Sequence, residues 1–210
     1  SEGLEVIYGD TDSVFFRSPH SNLEETISFG EKIAERYSLG AKQLEFEKIL
    51  QPFFSHGAKK RYVGKQVWPK ESMLIRGYET RRTDSFPSQV KALEEVFSLL
   101  MESDVDGALR LSRDWVTKIS KGEVEKDTLV ISKTVNLKRK YVNEGNQAHL
   151  QAHKKYIETG RPFVSGMKIS FVVTDASKSP MVVEPYIPEE ECPEPDYNYY
   201  ACLLYTSDAA

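Results

Sequence analysis

The chain has 210 residues, of which 40% are hydrophobic, 29% charged and 11% aromatic, and its net charge is −4. This length suits one or two domains with a core, and the aromatic content excludes a disordered chain. No apolar run approaches the roughly 18–20 residues of a membrane span, and two cysteines, Cys192 and Cys202, suit neither a disulfide framework nor a metal-binding pair.

The first eighty residues predict an α+β arrangement. Residues 4–8 and 13–17 are strand-like runs on either side of a tight polar turn, which is typical of a β-hairpin. A capping box at residues 21–24 predicts a helix that ends near Gly40. Further strands are predicted at residues 44–49, 53–54, 61–67 and 73–75.

A mostly helical part follows a boundary near residues 78–86. Apolar residues at helical spacing predict helices at residues 87–101, 105–120 and 147–159. Ala108, Leu109 and Trp115 are among the side chains expected to face inward. Residues 129–131 and 168–173 are strand-like, and the chain from Pro180 onwards, rich in Pro and Glu, predicts a loop.

Two aspartates, Asp10 and Asp12, flank Thr11 at the tip of the predicted hairpin. Residues two apart on an extended segment point the same way, so their carboxylates can converge. Close carboxylates repel unless a proton or a cation lies between them, and oxygen ligands favour Mg²⁺ or Mn²⁺. Such a pair could organise phosphoryl transfer with two metals, and ordinary turn chemistry is the alternative.

The net charge averages over an uneven distribution. Residues 59–91 contain nine basic and three acidic side chains, a net charge of +6. Residues 133–161 contain seven basic and two acidic side chains, a net charge of +5, whereas residues 184–210 contain seven acidic and no basic ones. Because clustered Lys and Arg neutralise phosphates, the two basic blocks are candidates for nucleic-acid binding, with solvated faces as the alternative.

Four motifs resemble the family B (alpha-like) DNA polymerases. Residues 8–13, Tyr-Gly-Asp-Thr-Asp-Ser, match motif C of the family completely, and residues 59–64 match its K-K-x-Y motif. Residues 76–84 resemble the segment where the family's thumb begins, in an Arg-Thr-Asp form that looks archaeal. Shorter matches to the thumb pattern follow at residues 132–133, 141–142, 148–149, 162–169 and 196–200.

The resemblance implies an α+β fragment of a DNA-directed DNA polymerase. Residues 1–80 would be the C-terminal part of the palm and residues 81–201 an incomplete thumb, while residues 202–210 resemble a non-native tail. Motifs A and B of the family are absent from the sequence, so we expect the isolated chain to be inactive. The implied location is the cytoplasm of a prokaryote of archaeal type, in association with the nucleoid.

Catalytic roles follow by resemblance for the hairpin. Asp12 would be the indispensable catalytic metal ligand and Asp10 an auxiliary catalytic and metal-binding residue. The implied cofactor is Mg²⁺ in a two-metal site, completed by an aspartate of motif A outside this sequence. Thr11 and Tyr8 would position the primer terminus, with structural packing as the alternative for Tyr8.

DNA contacts follow from the other motifs. Lys60 and Tyr62, expected to alternate to one face of a strand, would contact the minor groove, whose acceptors are shared by correct base pairs. Lys59 would face phosphates or water. Arg81 and Arg82, together with the basic block at residues 133–161, would grip the duplex backbone.

The implied partners are primer–template DNA, a dNTP and a sliding clamp bound through sequence beyond this C-terminus, with no membrane. One alternative is an inactive polymerase paralogue that acts as a DNA-binding or replisome structural module. A reverse transcriptase is disfavoured because its motif has adjacent aspartates, whereas Thr11 intervenes here. His149 and His153, four residues apart, predict a surface or phosphate-facing pair rather than a metal site.

Overall fold

A computed structural model of the chain describes residues 4–38, 43–55, 60–78, 85–141 and 143–208. The chain divides into two compact units, Ser1–Arg76 and Gly77–Ala210. Within the described residues there are five α-helices and three small antiparallel sheets, which confirms the predicted mixture of helices and strands. None of the helices in these ranges is both long and apolar enough to cross a membrane.

The first unit begins with the predicted hairpin. Strand β1 (Val6–Gly9) pairs antiparallel with β2 (Val14–Phe16). The backbone N–H of Asp10 donates to the carbonyl of Ser13 over 2.8 Å and closes the turn. The carboxylate-bearing tip is therefore fixed by the pairing of two short strands.

Helix α1 (Leu23–Tyr37) follows the hairpin. Its N-cap is Asn22, whose side-chain oxygen accepts the N–H of Glu24 over 2.8 Å, one residue later than the predicted capping box. Glu24 and Glu25 lie in the first turn, where the helix dipole favours negative charge. The predicted end at Gly40 lies outside the described residues.

Three strands complete this unit in the order β3 (Ile49–Ser55), β4 (Tyr62–Trp68) and β5 (Ser72–Arg76), all antiparallel. The strand predicted at residues 44–49 is wrong, because β3 begins only at Ile49. The apolar alternation there has another cause, since the Phe46 ring stacks on Trp68 with centroids 4.8 Å apart.

The second unit contains helices α2 (Pro87–Met101), α3 (Val105–Ser120), α4 (Ala148–Glu158) and α5 (Tyr197–Asp208), and a sheet of β6 (Ile131–Thr134), β7 (Lys168–Asp175) and β8 (Val182–Pro185). Helix α3 packs against α2 and α5, and α4 packs against β7 and β8. The largest fully buried side chains of this core include Phe86, Leu93, Ile119, Leu129 and Tyr200.

The predicted loop after Pro180 is wrong, because this stretch contains β8 and α5. Its Pro and Glu content masks a short apolar strand and an aromatic helix whose Tyr200 and Leu204 are buried. Residues 202–208 continue α5. The inward orientation predicted for Leu109 is also wrong, since 52% of it is exposed. Ala108 and Trp115 are buried as predicted, and Leu109 lies about 100° from Ala108 around the helix axis.

Candidate functional site

The two aspartates at the hairpin tip have different surroundings. Asp10 accepts the backbone N–H of Thr11 over 2.8 Å, and the ammonium of Lys60 lies 3.8 Å from the same oxygen. Asp12 is exposed, and its carboxylate forms no hydrogen bond or ion pair with any described residue. Asp10 therefore has protein partners, whereas the exposed Asp12 carboxylate has none among the described residues.

This donor set fits part of a Mg²⁺ site. Two carboxylates two residues apart supply the hard oxygen ligands that Mg²⁺ prefers, but the ion takes six. Across the described ranges, no three His, Cys, Asp or Glu side chains come together in a group that could hold a metal. The described carboxylates of the hairpin tip can therefore supply only part of a Mg²⁺ coordination shell.

Lys60 reaches this tip from a turn, not from a strand. Strand β4 begins at Tyr62, and Lys60 has a φ of 65°, in the left-handed region. The predicted alternation of Lys60 and Tyr62 on one strand face is therefore wrong, because a left-handed residue interrupts extended backbone. The structure nevertheless brings Lys60 beside the carboxylate pair, since its backbone N–H donates to the Tyr8 hydroxyl over 2.8 Å and its ammonium pairs with Asp10.

Four aromatic rings form a cluster beneath these polar groups: Tyr8, Phe15, Phe53 and Tyr62. Tyr62 lies 5.3 Å from Tyr8, 5.2 Å from Phe15 and 5.8 Å from Phe53, measured between ring centroids. The cluster joins the β1–β2 hairpin to strands β3 and β4 within the first unit. Sequence reasoning missed Phe15 and Phe53 as site residues, although Phe15 lies directly opposite Tyr8 in the hairpin register.

The remaining predicted DNA contacts are only partly described. Thr11 is exposed at the tip, where its hydroxyl lies 3.3 Å from the Asp10 carboxylate. Lys59, Arg81 and Arg82 lie outside the described residues. The structure therefore brings together Tyr8, Asp10, Thr11, Lys60 and Tyr62 of the predicted set, with Asp12 beside them on the same turn.

In the second unit, the basic block at residues 133–161 is partly neutralised by acidic residues. The ammonium of Lys155 lies 2.6 Å from Glu184, and the guanidinium of Arg161 lies 2.8 Å from Glu190. Three consecutive exposed cations form no ion pair with any described residue, and we call them the basic loop: Lys138, Arg139 and Lys140.

This basic loop has a defined backbone. The side-chain oxygen of Asn136 accepts the N–H of Lys138 over 3.0 Å, and the hydroxyl of Tyr141 accepts the N–H of Asn136 over 3.1 Å. The guanidinium of Arg139 lies 5.5 Å from the centre of the Tyr141 ring. The cations are therefore presented from a turn that local hydrogen bonds hold in shape.

Burial affects the predicted histidine pair and one of the two cysteines. The predicted exposure of His149 is wrong: it is 3% exposed against the Tyr141 ring, and burial, with the nearby charge of Lys133, lowers its pKa. Burial likewise lowers the pKa of His153. Both cysteines are free thiols, and burial together with Asp127 raises the pKa of Cys192 to about 11.

The carboxylates at the hairpin tip could bind a cation, and the cations of the basic loop are of a type that can neutralise phosphates. The family model described as DNA polymerase family B matches residues 2–207. The chain belongs to this family.

Individual relatives agree with the family assignment. The chain is 35% identical over 179 residues to "DNA polymerase 2" of Aeropyrum pernix, covering 83% of this chain and 21% of that protein. It is 30% identical over 181 residues to the "DNA polymerase delta catalytic subunit" of Drosophila melanogaster, covering 83% and 16%. The chain spans about a fifth of the length of the curated relatives it matches.

A solved structure supports the fold. The family B DNA polymerase from the archaeon Pyrobaculum calidifontis superposes with a TM-score of 0.65 at 21% identity, over 98% of this chain and 26% of that one. At this identity the likeness concerns the fold alone.

Proposed function

We propose that the chain is a segment of a full-length DNA-directed DNA polymerase. The enzyme would transfer nucleotides from dNTPs to a primer 3′-hydroxyl under the direction of a template. In this proposal the first unit, Ser1–Arg76, is the end of the palm and the second, Gly77–Ala210, contains the incomplete thumb, with residues 202–210 as a tail of non-native sequence. The observation that carries it is the exposed Asp12 carboxylate beside the Asp10–Lys60 pair at the hairpin tip.

The chemistry assigned to the tip uses both aspartates. Bound Mg²⁺ would lower the pKa of the primer hydroxyl and offset negative charge on the triphosphate. Asp12 would hold the ion, because its oxygens have no partner among the described residues. Asp10 would act beside it by keeping the Lys60 ammonium next to the reacting groups.

Lys60 and Tyr62 are the proposed minor-groove contacts. The Lys60 side chain is 70% exposed, so its ammonium can donate to a base edge as well as to Asp10. The Tyr62 ring is held by the aromatic cluster, while its hydroxyl has no hydrogen bond to a described residue. Minor-groove acceptors are shared by all correct pairs, so these contacts would check pair geometry without reading sequence. Tyr8 and Thr11 would support the primer end, and Lys59 would face phosphates.

The basic loop is the proposed contact of the second unit with the duplex backbone, together with Arg81 and Arg82. When log affinity for B-DNA is plotted against log salt concentration, each phosphate that the protein neutralises makes the negative slope steeper by about 0.9. Replacing Lys138 and Lys140 by Gln should therefore reduce the slope by about 2 in filter-binding titrations. An unchanged slope would remove the basic loop from the interface.

The wider proposal includes an archaeal-type source and a sliding clamp as partner. The archaeal type is supported by the Arg-Thr-Asp form of residues 82–84 and by the archaeal relative that matches at 35% identity. The isolated 210-residue chain is proposed to be inactive, because the hairpin supplies only part of a metal site. Mg²⁺-dependent primer extension by this chain alone would contradict that part.

The decisive experiment is Asp12→Ala in the full-length polymerase. Primer extension should fall by roughly three orders of magnitude or more, because metal-ion stabilisation contributes several kcal/mol to such transfers. Affinity for primer–template should stay within about twofold, because Asp12 is exposed and its carboxylate forms no hydrogen bond or ion pair with a described residue, so its removal should leave the fold intact. Asp106→Ala, which removes an exposed carboxylate from the first turn of α3, is the matched control and should extend normally.

Two outcomes would contradict the proposal. Near-normal extension by the Asp12→Ala enzyme would remove the metal-ligand role. DNA binding without any extension by the unsubstituted full-length protein would instead identify an inactive paralogue.

A further inference from the structure

We propose that the Tyr8 hydroxyl is a positioning group that acts through Lys60: by accepting that residue's backbone N–H, it holds the lysine in a left-handed conformation that aims its ammonium at Asp10. The catalytic consequence rests on the proposed polymerase function. The hydrogen bond and its effect on the Lys60 backbone do not depend on that function.

The first step concerns the conformation of Lys60. A φ of 65° is uncommon for a residue with a side chain, because the Cβ then crowds the neighbouring carbonyl oxygen. Lysine has no short polar side chain that could stabilise this conformation locally, as Asn or Asp has. A contact outside the residue is therefore needed, and the 2.8 Å hydrogen bond to Tyr8 supplies it.

The second step concerns the Tyr8 hydroxyl, which is a fixed point. Tyr8 lies on β1 opposite Phe15 of β2, and the centroids of the two rings are 5.5 Å apart. The Tyr62 ring also packs against Tyr8, with centroids 5.3 Å apart. Two aromatic neighbours and the strand pairing hold the Tyr8 ring, so its hydroxyl has little freedom to move. The N–H of Lys60 that bonds to this hydroxyl is therefore fixed as well.

The third step connects the backbone to the ammonium. With the N–H fixed, a change from φ of 65° to the common right-handed value would rotate Cβ by roughly 130° about the N–Cα bond. The ion pair cannot by itself prevent this rotation. The Lys60 side chain is 70% exposed and that of Asp10 28%, and exposed pairs hold long side chains weakly. The backbone bond to Tyr8 therefore determines where the ammonium lies.

The test uses Tyr8→Phe in the full-length polymerase, which removes one oxygen and keeps the ring. Hydrogen exchange followed by mass spectrometry should show the Lys60 amide exchanging about fivefold faster, the size expected when one hydrogen bond is removed. Tyr156→Phe, which removes the hydroxyl of a half-buried tyrosine on α4, should leave that exchange rate unchanged. An unchanged rate in Tyr8→Phe would overturn the proposal.

The kinetic test is a double-mutant cycle with Lys60→Ala. Tyr8→Phe alone should lower kcat/KM for primer extension about fivefold, and in the Lys60→Ala background it should have no further effect. Additive losses would show that Tyr8 acts on DNA directly and would overturn the positioning role. An active Asp12→Ala enzyme would refute the proposed function, whereas the Tyr8–Lys60 bond is tested by the exchange rate alone.

Discussion

Replacing Tyr200 by Phe should destabilise the second unit through the removal of a single oxygen. Tyr200 is fully buried, and its hydroxyl accepts the backbone N–H of Val173 on β7 over 2.9 Å. The carbonyl of Val173 accepts the N–H of Asp196, so both polar groups of this residue bond to the start of α5. Since Val173 is 1% exposed, the substitution would leave its N–H without water.

The expected cost is that of an unpaired buried donor, about 1–3 kcal/mol, with no change in packing volume. For a chain of this size Tm falls by about 2–4 °C per kcal/mol, so the expected decrease is about 2–12 °C. Tyr205→Phe on the same helix is the control, because Tyr205 is 65% exposed and a surface change shifts Tm by less than about 2 °C.

Circular dichroism melting of the 210-residue chain measures this difference. Equal Tm values for Tyr200→Phe and Tyr205→Phe would refute the inferred bond between α5 and β7. The result also bears on the motif at residues 196–200, which resembles a family pattern. Asp196 accepts the N–H of Ala176 over 2.9 Å, so the motif attaches α5 to the end of β7 and serves the fold.

Three further predictions follow from single contacts. Asp10→Asn removes the charge that pairs with Lys60, so single-turnover extension by the full-length enzyme should fall about 10- to 100-fold; an unchanged rate would contradict an auxiliary role. Burial lowers the pKa of His149, so as the pH falls this side chain takes up a proton more readily in the unfolded chain than in the folded one, and the free energy of unfolding in urea should decrease from about pH 7 to pH 5. His149→Gln should make this pH dependence shallower, and an equal slope would argue against burial. Gly30→Ala places a Cβ against the Phe46 ring, so it should lower the free energy of unfolding measured in urea by about 1–3 kcal/mol. Gly145→Ala, with open space around it, should be close to neutral, and equal destabilisation in the two variants would contradict the packing at Gly30.

The periodic elements were predictable because their burial follows from local spacing. Helix α3 runs over the predicted residues 105–120, since its apolar stripe repeats every three or four positions. Helix α5 was missed because the signal that matters is a contact distant in sequence: Tyr200 is buried by bonding to Val173. The Pro- and Glu-rich composition belongs to the connection that precedes α5 and does not describe the helix itself.

In the candidate site, too, local features could be predicted from the sequence, whereas contacts between distant residues could not. That Asp10 and Asp12 share the turn of one hairpin could be predicted from their spacing of two residues between two strand-like runs. The approach of Lys60 to Asp10 could not be derived from spacing, because fifty residues separate them and they are brought together by aromatic packing between two sheets. The left-handed φ of Lys60 has no sequence signal, since the residue is neither Gly nor Asn.

Counting basic residues along the sequence overestimates how many cations are available to bind phosphates. Acidic residues of β8 and of the segment after it pair with basic groups across the second unit: Glu184 with Lys155, Glu190 with Arg161, and Glu194 with Lys126. Each pair is partly exposed and so contributes little to stability, but it removes the field of its cation. Of the seven basic residues at 133–161, Lys155 and Arg161 are thereby neutralised. Three of the five remaining cations form the basic loop, which is why we propose this loop, and not the whole block, as the contact with a duplex backbone.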